Sequence, residues 1–402
     1  MPQRKQVTKP SSMIFKLTSS KPMQVLLVAA AITTVFLFYK FATSGEDFLS
    51  QSRAAYHAES KMGIKDGKSS SQVALHEIYP DDTFEEKHAK VSKNQAIKHA
   101  QEFENDFHLL FLFTRLKEHP KLKEKFNTAF GSLFSLAKFH DDEVLHIHFI
   151  CDENGRTYVE DYLQQHIDHP EFKLKVHFHN INTLGDQLLA EVGKFKSLLG
   201  KDGKNNAYYD DALFYLSLVI HKILPQNVRR LVQVDLDLKF MVNIREIWDE
   251  FSYFTHENII GIAYENQPVY RNVLWKYRRE NPGTKFGSQL PDGNPGFNSG
   301  VLLLHLDHLR SSKVYNSYLD NKVMGQLVQK YSFQGHLGDQ DFFTLLSFER
   351  PELFFILDCG WNKQLCEWWR NKGFENVFDY YFKCGETVKI WHGNCNTPFP
   401  KE

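Results

Sequence analysis

The sequence predicts an α/β domain built on a mostly parallel central sheet with helices covering both of its faces. Three observations predict it. From Phe107 onward, short apolar runs recur and end on polar or acidic residues, as buried strands do when their carboxyl ends open into a cleft. Stretches with helical period separate these runs, as crossovers between parallel strands require. One run, Leu231-Val232-Gln233-Val234, stops on Asp235-Leu236-Asp237. Two carboxylates at the end of a buried strand are hard oxygen ligands suited to a divalent cation.

A chain of 402 residues has room for one large domain or two ordinary ones. Its net charge of -1 provides no electrostatic footprint for nucleic acid. Residues 1–22 carry Arg4, Lys5, Lys9, Lys16 and Lys21, and no acidic residue precedes Glu46, so they read as a cytosolic tail. Residues 23–42 are almost wholly apolar and predict a transmembrane signal-anchor, with Lys21 and Lys40 snorkelling at its ends. Ala42-Thr43-Ser44 is small enough to leave a cleaved signal peptide as the alternative. The run is longer than a usual signal core, which favours the uncleaved anchor and, by the positive-inside rule, a lumenal remainder. Polar residues 43–101 lack a sustained apolar period and read as a stem, leaving 102–402 as the catalytic domain.

Within that domain Phe107–Phe113 is a strand that ends at Thr114-Arg115, and an amphipathic helical stretch covers 121–138. Val144–Cys151 is the next strand, ending at Asp152-Glu153, and Lys173–His179 the third. Tyr208–Leu224 reads as a helix leading into the strand Arg230–Val234. Ile259–Tyr264, Val301–Leu306 and Leu353–Leu357 are further strands, and Gln340–Phe348 is helical. Glycine and proline gather between Pro282 and Pro295, which predicts a loop bordering the site. Cys359, Cys366, Cys384 and Cys395 contain no Cys-x-x-Cys pair, which in a lumen favours two disulfides over zinc; sequence allows three pairings. Cys151, in an apolar run, is a buried free thiol.

Three further segments carry polar chemistry. Gly296-Phe297-Asn298-Ser299-Gly300 runs into a strand; its amide and hydroxyl can bond sugar hydroxyls, although a plain turn before a strand has the same composition. His336-Leu337-Gly338-Asp339-Gln340-Asp341 opens a helix whose backbone donors suit an anion, and whose Asp339 and Gln340 can grip a polar sugar; an ordinary capped helix start is the alternative. Ile390-Trp391-His392-Gly393-Asn394 delivers an imidazole able to complete the shell of a metal on Asp235 and Asp237, though most of the 19 histidines must be structural.

Together, and in this order, these segments resemble the retaining glycosyltransferases of family 8 from Phe107 to the carboxyl end. The strings VQVDLDLKF, NQPVYR, PGFNSGVLLLHL, GHLGDQDFF, LDCGWNKQLCEWW and HGNCNTP resemble most closely its xylose-transferring members. The resemblance implies a GT-A fold, UDP-xylose as donor, and Mn²⁺ as metal with Mg²⁺ as the alternative. It implies α-1,3 transfer to a xylosyl-glucose disaccharide O-linked to EGF-like repeats of Notch-type receptors; UDP-glucose and UDP-galactose are rival donors. It also implies a type II protein of the endoplasmic reticulum membrane, with the Golgi as alternative, and allows a homodimer. Asp235, Asp237 and His392 would hold the metal. Phe113, Thr114, Arg115 and Leu236 would line the nucleotide, with Asn298, Ser299, Leu337, Asp339 and Gln340 around the xylose, the last two at its reacting end. Trp361, Trp368 and Asn394 would meet the acceptor, and the implied disulfides are Cys359–Cys384 and Cys366–Cys395. The family's Lys after His-Gly is missing here, where Asn394-Cys395-Asn396-Thr397-Pro398 stands, which turns attention to Arg115 or Lys239 for the diphosphate.

Overall fold

The computed structural model describes residues 106–167, 170–184, 186–199 and 212–401. The expected tail, anchor and stem lie outside these residues. Among the described residues no helix is long and apolar enough to cross a membrane.

Eight-residue strands β1 (Asp106–Phe113), β2 (Val144–Cys151) and β3 (Lys173–Asn180) pair in parallel. β4 (Arg230–Val234) joins β1 in parallel, and the short β5 (Leu238–Phe240) follows the second aspartate. β6 (Ile260–Tyr264), β7 (Phe297–His305) and β8 (Phe354–Leu357) complete a seven-stranded sheet of order β3-β2-β1-β4-β7-β6-β8. Only β7 runs against its neighbours β4 and β6, so the sheet is mostly parallel as the alternating pattern predicts. β9 (Lys363–Gln364) and β10 (Ile390–His392) form with β5 a separate sheet of order β5-β10-β9.

Successive residues of β4 and β7 feed opposite cores, which explains their largely apolar texture. Leu231, Leu302 and Leu304 pack under the helices Asp186–Leu199, Leu306–Ser311 and Asp339–Glu349. Val232, Val301 and Leu303 face the other way, toward Leu122–Leu136 and Arg245–Asp249. A sheet covered on both sides leaves its strand ends as the place for polar chemistry.

The expected helix over 208–224 is, where described, a 3₁₀ segment (Ala212–Val219) followed by a single α-turn (Ile220–Ile223). That segment is apolar apart from Ser217, and tertiary burial rather than helical propensity sets its winding. The Asn298-Ser299-Gly300 triplet lies inside β7, correcting the reading of a turn before a strand starting at Val301. β7 bulges there: Ile262 of β6 faces Leu302, while the next residue, Ala263, faces Asn298. The glycine- and proline-rich loop reaches the site at its end, where the Gly296 carbonyl accepts the Glu265 N–H at 2.9 Å.

Candidate active site

At the carboxyl end of β4 the Asp235 N–H donates to the Gly300 carbonyl of β7 at 2.9 Å, which anchors the Asp-x-Asp turn while its carboxylates stay in the cleft. β5 starts directly after Asp237, and β10 pairs antiparallel with it so that His392 stands opposite Leu238. The Gly393 N–H donates to the Asp237 carbonyl at 2.7 Å and continues that ladder. This register brings the His392 Nε2 to 3.3 Å from Asp237 Oδ1 and 3.6 Å from Asp235 Oδ2. One ligand atom from each of the three lies within 4.8 Å of the others. Gly300 is needed for this approach, since a Cβ there would sit 2.3 Å from His392 Cε1.

The surroundings are those of a cation site. Desolvation among the crowded cleft groups and the neighbouring Asp237 push the Asp235 carboxyl upward, although its side chain is half exposed. Asp237 stays well below the usual range, because its bonds with His392 and Lys125 outweigh the cost of its enclosure. Lys125, from the helix Leu122–Leu136, bonds Asp237 Oδ2 at 3.0 Å. The imidazole, although buried, is raised by Asp237 and Asp235. Its Nδ1 lies 2.9 Å from Asn362 Oδ1, an outer contact of the kind that orients metal-binding histidines. Two carboxylates and an oriented imidazole fit a divalent ion such as Mn²⁺ or Mg²⁺.

Beside this cluster stands a denser polar layer. Ser299 Oγ donates to Asp339 Oδ1 at 2.7 Å, and Ser217 Oγ donates to the other Asp339 oxygen. Burial pushes Asp339 up to about 6 despite these hydroxyls. The Ser299 N–H approaches Gln340 Oε1 at 3.4 Å, and Gln340 Nε2 donates to Glu265 Oε2 at 3.2 Å. Asn298 Nδ2 donates to the same Glu265 oxygen at 3.0 Å. The turn at Leu337-Gly338, with Gly338 at φ 72°, makes less of a helix-start anion site than expected. Its Leu337 N–H is spent on the buried Asp341 at 2.7 Å, whose other oxygen takes the Tyr270 hydroxyl at 3.0 Å.

Other expected residues sit at different depths. Phe113 is fully buried and stacks on Phe126 at 4.7 Å, so its ring belongs to the core. Thr114 Oγ1 and the Arg115 N–H both donate to Asp152 Oδ2 at 2.9 Å, placing that loop at the carboxyl ends of β1 and β2. Leu236 is buried between the two aspartates. Trp361 is buried too, its indole N–H on Glu250 at 2.8 Å and its ring under Lys389, so it presents no face to solvent. Trp368 is exposed. Asn394 Oδ1 accepts the N–H groups of Leu365 and Cys366 at 3.0 and 2.8 Å, clamping the strand beside His392. The disulfides are Cys359–Cys384 and Cys366–Cys395, and Cys151 is a buried free thiol.

Glu265, Asn362, Lys125 and Asp152 were missed. A signal existed for two of them: Glu265 and Asp152 follow apolar strands directly, as the Asp-x-Asp does. Lys125 is one basic residue on an amphipathic helix and Asn362 one amide in a loop, and nothing local distinguishes either.

No protein-family model matches the chain. Xyloside xylosyltransferase 1 of Mus musculus is 46% identical over 298 residues, covering 74% of this chain and 76% of the relative. The Homo sapiens protein of that name is 41% identical over 382 residues, 94% of this chain and 93% of the relative. The crystal structure of the mouse protein in its apo form matches with a TM-score of 0.69, covering 73% of this chain and 100% of that one. An α/β fold shared with that structure and this degree of identity lead to one conclusion: the chain belongs to the xyloside xylosyltransferase family and is a xylosyltransferase.

Proposed function

We propose that the chain transfers xylose from UDP-xylose, with retention and in α-1,3 linkage, to the xylosyl-glucose disaccharide O-linked to EGF-like repeats of Notch-type receptors. The observation that carries this reading is the meeting of Asp235, Asp237 and His392, from β4 and β10, beside the amides and hydroxyls of Asn298, Ser299 and Gln340. Asp235, Asp237 and His392 hold Mn²⁺, or Mg²⁺, in this proposal. When bound, that ion supplies Lewis-acid stabilisation of the departing diphosphate, worth several kcal/mol of barrier.

The chain's own residues then bind and orient. Asn298, Ser299, Asp339 and Gln340 form the wall for the pentose, and the Thr114-Arg115 loop held on Asp152 is the nucleotide side. A covalent intermediate would need a free carboxylate at the anomeric carbon. Asp339 has both oxygens engaged by serines, Glu265 is buried behind Asn298 and Gln340, and an amide such as Gln340 is a poor nucleophile. This favours front-face substitution: the bond from anomeric carbon to phosphate oxygen breaks and the acceptor oxygen bonds that carbon from the same side. The acceptor's proton passes to the departing phosphate. Lys125, already on Asp237, adds positive charge at the cluster. In this reading the exposed Trp368 meets the acceptor, and the buried Trp361 does not. The enzyme is proposed as a type II protein of the endoplasmic reticulum membrane, with its catalytic domain in the lumen.

Mass spectrometry of a xylosyl-glucose-bearing repeat incubated with UDP-xylose and the full chain tests donor and acceptor together. One added pentose is expected; a hexose added from UDP-glucose or UDP-galactose in parallel, with no pentose, overturns the donor assignment.

A further inference from the structure

The end of β1 leaves the sheet in an unusual way. β1 pairs with β4 only as far as Phe111, opposite Val234, and runs on beside β2 to Phe113, opposite Cys151. Two residues later the backbone turns through Arg115, which is left-handed at φ 59°. A side chain bearing a Cβ adopts that region at a cost, and persists there only where its surroundings over-determine it.

Here the surroundings do so from both sides of the residue. The Arg115 carbonyl accepts the N–H groups of Glu118 and His119 at 3.1 and 3.0 Å. Its own N–H and the Thr114 hydroxyl both donate to Asp152 Oδ2 at 2.9 Å. The other oxygen, Asp152 Oδ1, accepts the Gly155 N–H at 2.8 Å and caps the helix Glu153–His166. Against the cost of partial burial, the Arg115, Gly155 and Thr114 donors hold the carboxyl below its usual range. Gly155 brings that helix close, since a Cβ there would lie 2.3 Å from the Phe113 carbonyl oxygen. A helix cap needs one acceptor oxygen, which serine or asparagine supplies as well. Capping therefore accounts for Oδ1 and leaves Oδ2, devoted to the loop, without an explanation.

We infer that Asp152 is a positioning residue for the nucleotide: through Oδ2 it holds Arg115 left-handed, and so fixes the shape in which the Thr114-Arg115 loop receives a nucleoside diphosphate. This rests on reading that loop as the nucleotide side. Asp152 itself touches neither the metal cluster nor the reacting carbon in this account. The loop grips the nucleotide equally before and during bond breaking, so its loss weakens binding and leaves the chemical step alone.

The test compares the full wild-type chain with D152S, whose single side-chain oxygen can cap Gly155 but cannot serve the loop as well. Calorimetry with UDP in the presence of Mn²⁺ is expected to show binding about 10-fold weaker, for the loss of charge-assisted bonds. The KM for the UDP-sugar donor should rise to match while kcat holds, and Mn²⁺ affinity without nucleotide, read by electron paramagnetic resonance, should not change. A merely structural role predicts a lower melting temperature with UDP affinity intact. Unchanged UDP affinity in folded D152S overturns the inference, and so does a fall in kcat at constant KM. Should D152S fold poorly, D152N keeps the volume and the cap; retained UDP affinity there overturns it equally. A wild type that binds no UDP with Mn²⁺ present sinks the nucleotide reading and this inference together. A wild type that binds UDP beside a D152S that binds it equally sinks the inference alone.

Discussion

Two regions of the molecule gather histidine, and they treat it oppositely. At the carboxyl end of β4, one imidazole meets two carboxylates and is raised. On one face of β1, β2 and β3, five imidazoles meet mainly each other. His108 Nδ1 lies 3.0 Å from His148 Nε2, His148 Nδ1 3.0 Å from His179 Nε2, and His146 Nδ1 2.9 Å from His177 Nε2. Each contact needs one ring N–H and one bare nitrogen, so at least one ring of each pair stays neutral. Burial first, then His146, takes His108 down to about 3; burial, then His108 and other rings, takes His148 down to about 2. The same side chain is thus a cation-site candidate in one place and a neutral structural bridge in the other. Its partners decide, not its type.

Removing a partner on the carboxylate side should have the largest effect. Asp235→Asn is expected to lower transfer at least about 10³-fold, matching several kcal/mol of leaving-group stabilisation. Its melting temperature should not fall, because a like-charge neighbour of Asp237 is lost. Full activity at ordinary Mn²⁺ would erase the contrast between the two regions. Next comes the link that holds His392 in place. Replacing Cys366 and Cys395 by serine opens a bridge of sequence separation 29 across the ends of β9 and β10. Denaturant melts should then show a loss of about 3–4 kcal/mol; an unchanged midpoint would mean the strand holds without it.

Gly300→Ala tests the imidazole's seat more finely. Its methyl would fall on the His392 ring, so activity should drop about 10²-fold for a displacement on the order of 1 Å, with a largely intact fold by circular dichroism. The smallest effect belongs to the sheet histidines. Their folded pKa values lie below the ordinary 6.5, so the unfolded chain takes up protons first as acid is added. Stability is then complete above about 6.5 and falls as pH drops from there toward 3. His108 and His148 should each contribute a loss of about 1 kcal/mol between pH 6.5 and 5.5. Asp106 near His146 opposes this loss, whereas Lys175 and Arg230 add to it. Urea melts at several pH values check it, with His148→Asn flattening the slope; a flat wild-type profile would show that the bridges accept protons freely.

Much of the site was legible because its residues lie in short motifs at strand ends. Asp235 and Asp237 follow β4 directly, Asn298 and Ser299 sit in one tripeptide, and His392 closes an apolar run. The parallel sheet was legible from recurring, largely apolar strands separated by helical stretches. What was not legible depends on partners far away in the chain. The serines that engage Asp339 come from 40 and 122 residues away, and Lys125 meets Asp237 across 112. Trp361 looked like a sugar platform by type, yet the fold turned it inward onto Glu250.

Local pattern alone was enough to determine which residues are chemically able to act, because ligand type and strand-end position are local properties. Whether an imidazole faces carboxylates or other imidazoles, which tautomer it holds, and which carboxylates remain free were decided only when distant strands came into register. Hydrogen-bond direction and charge balance are properties of contacts, and those contacts exist only in the folded chain.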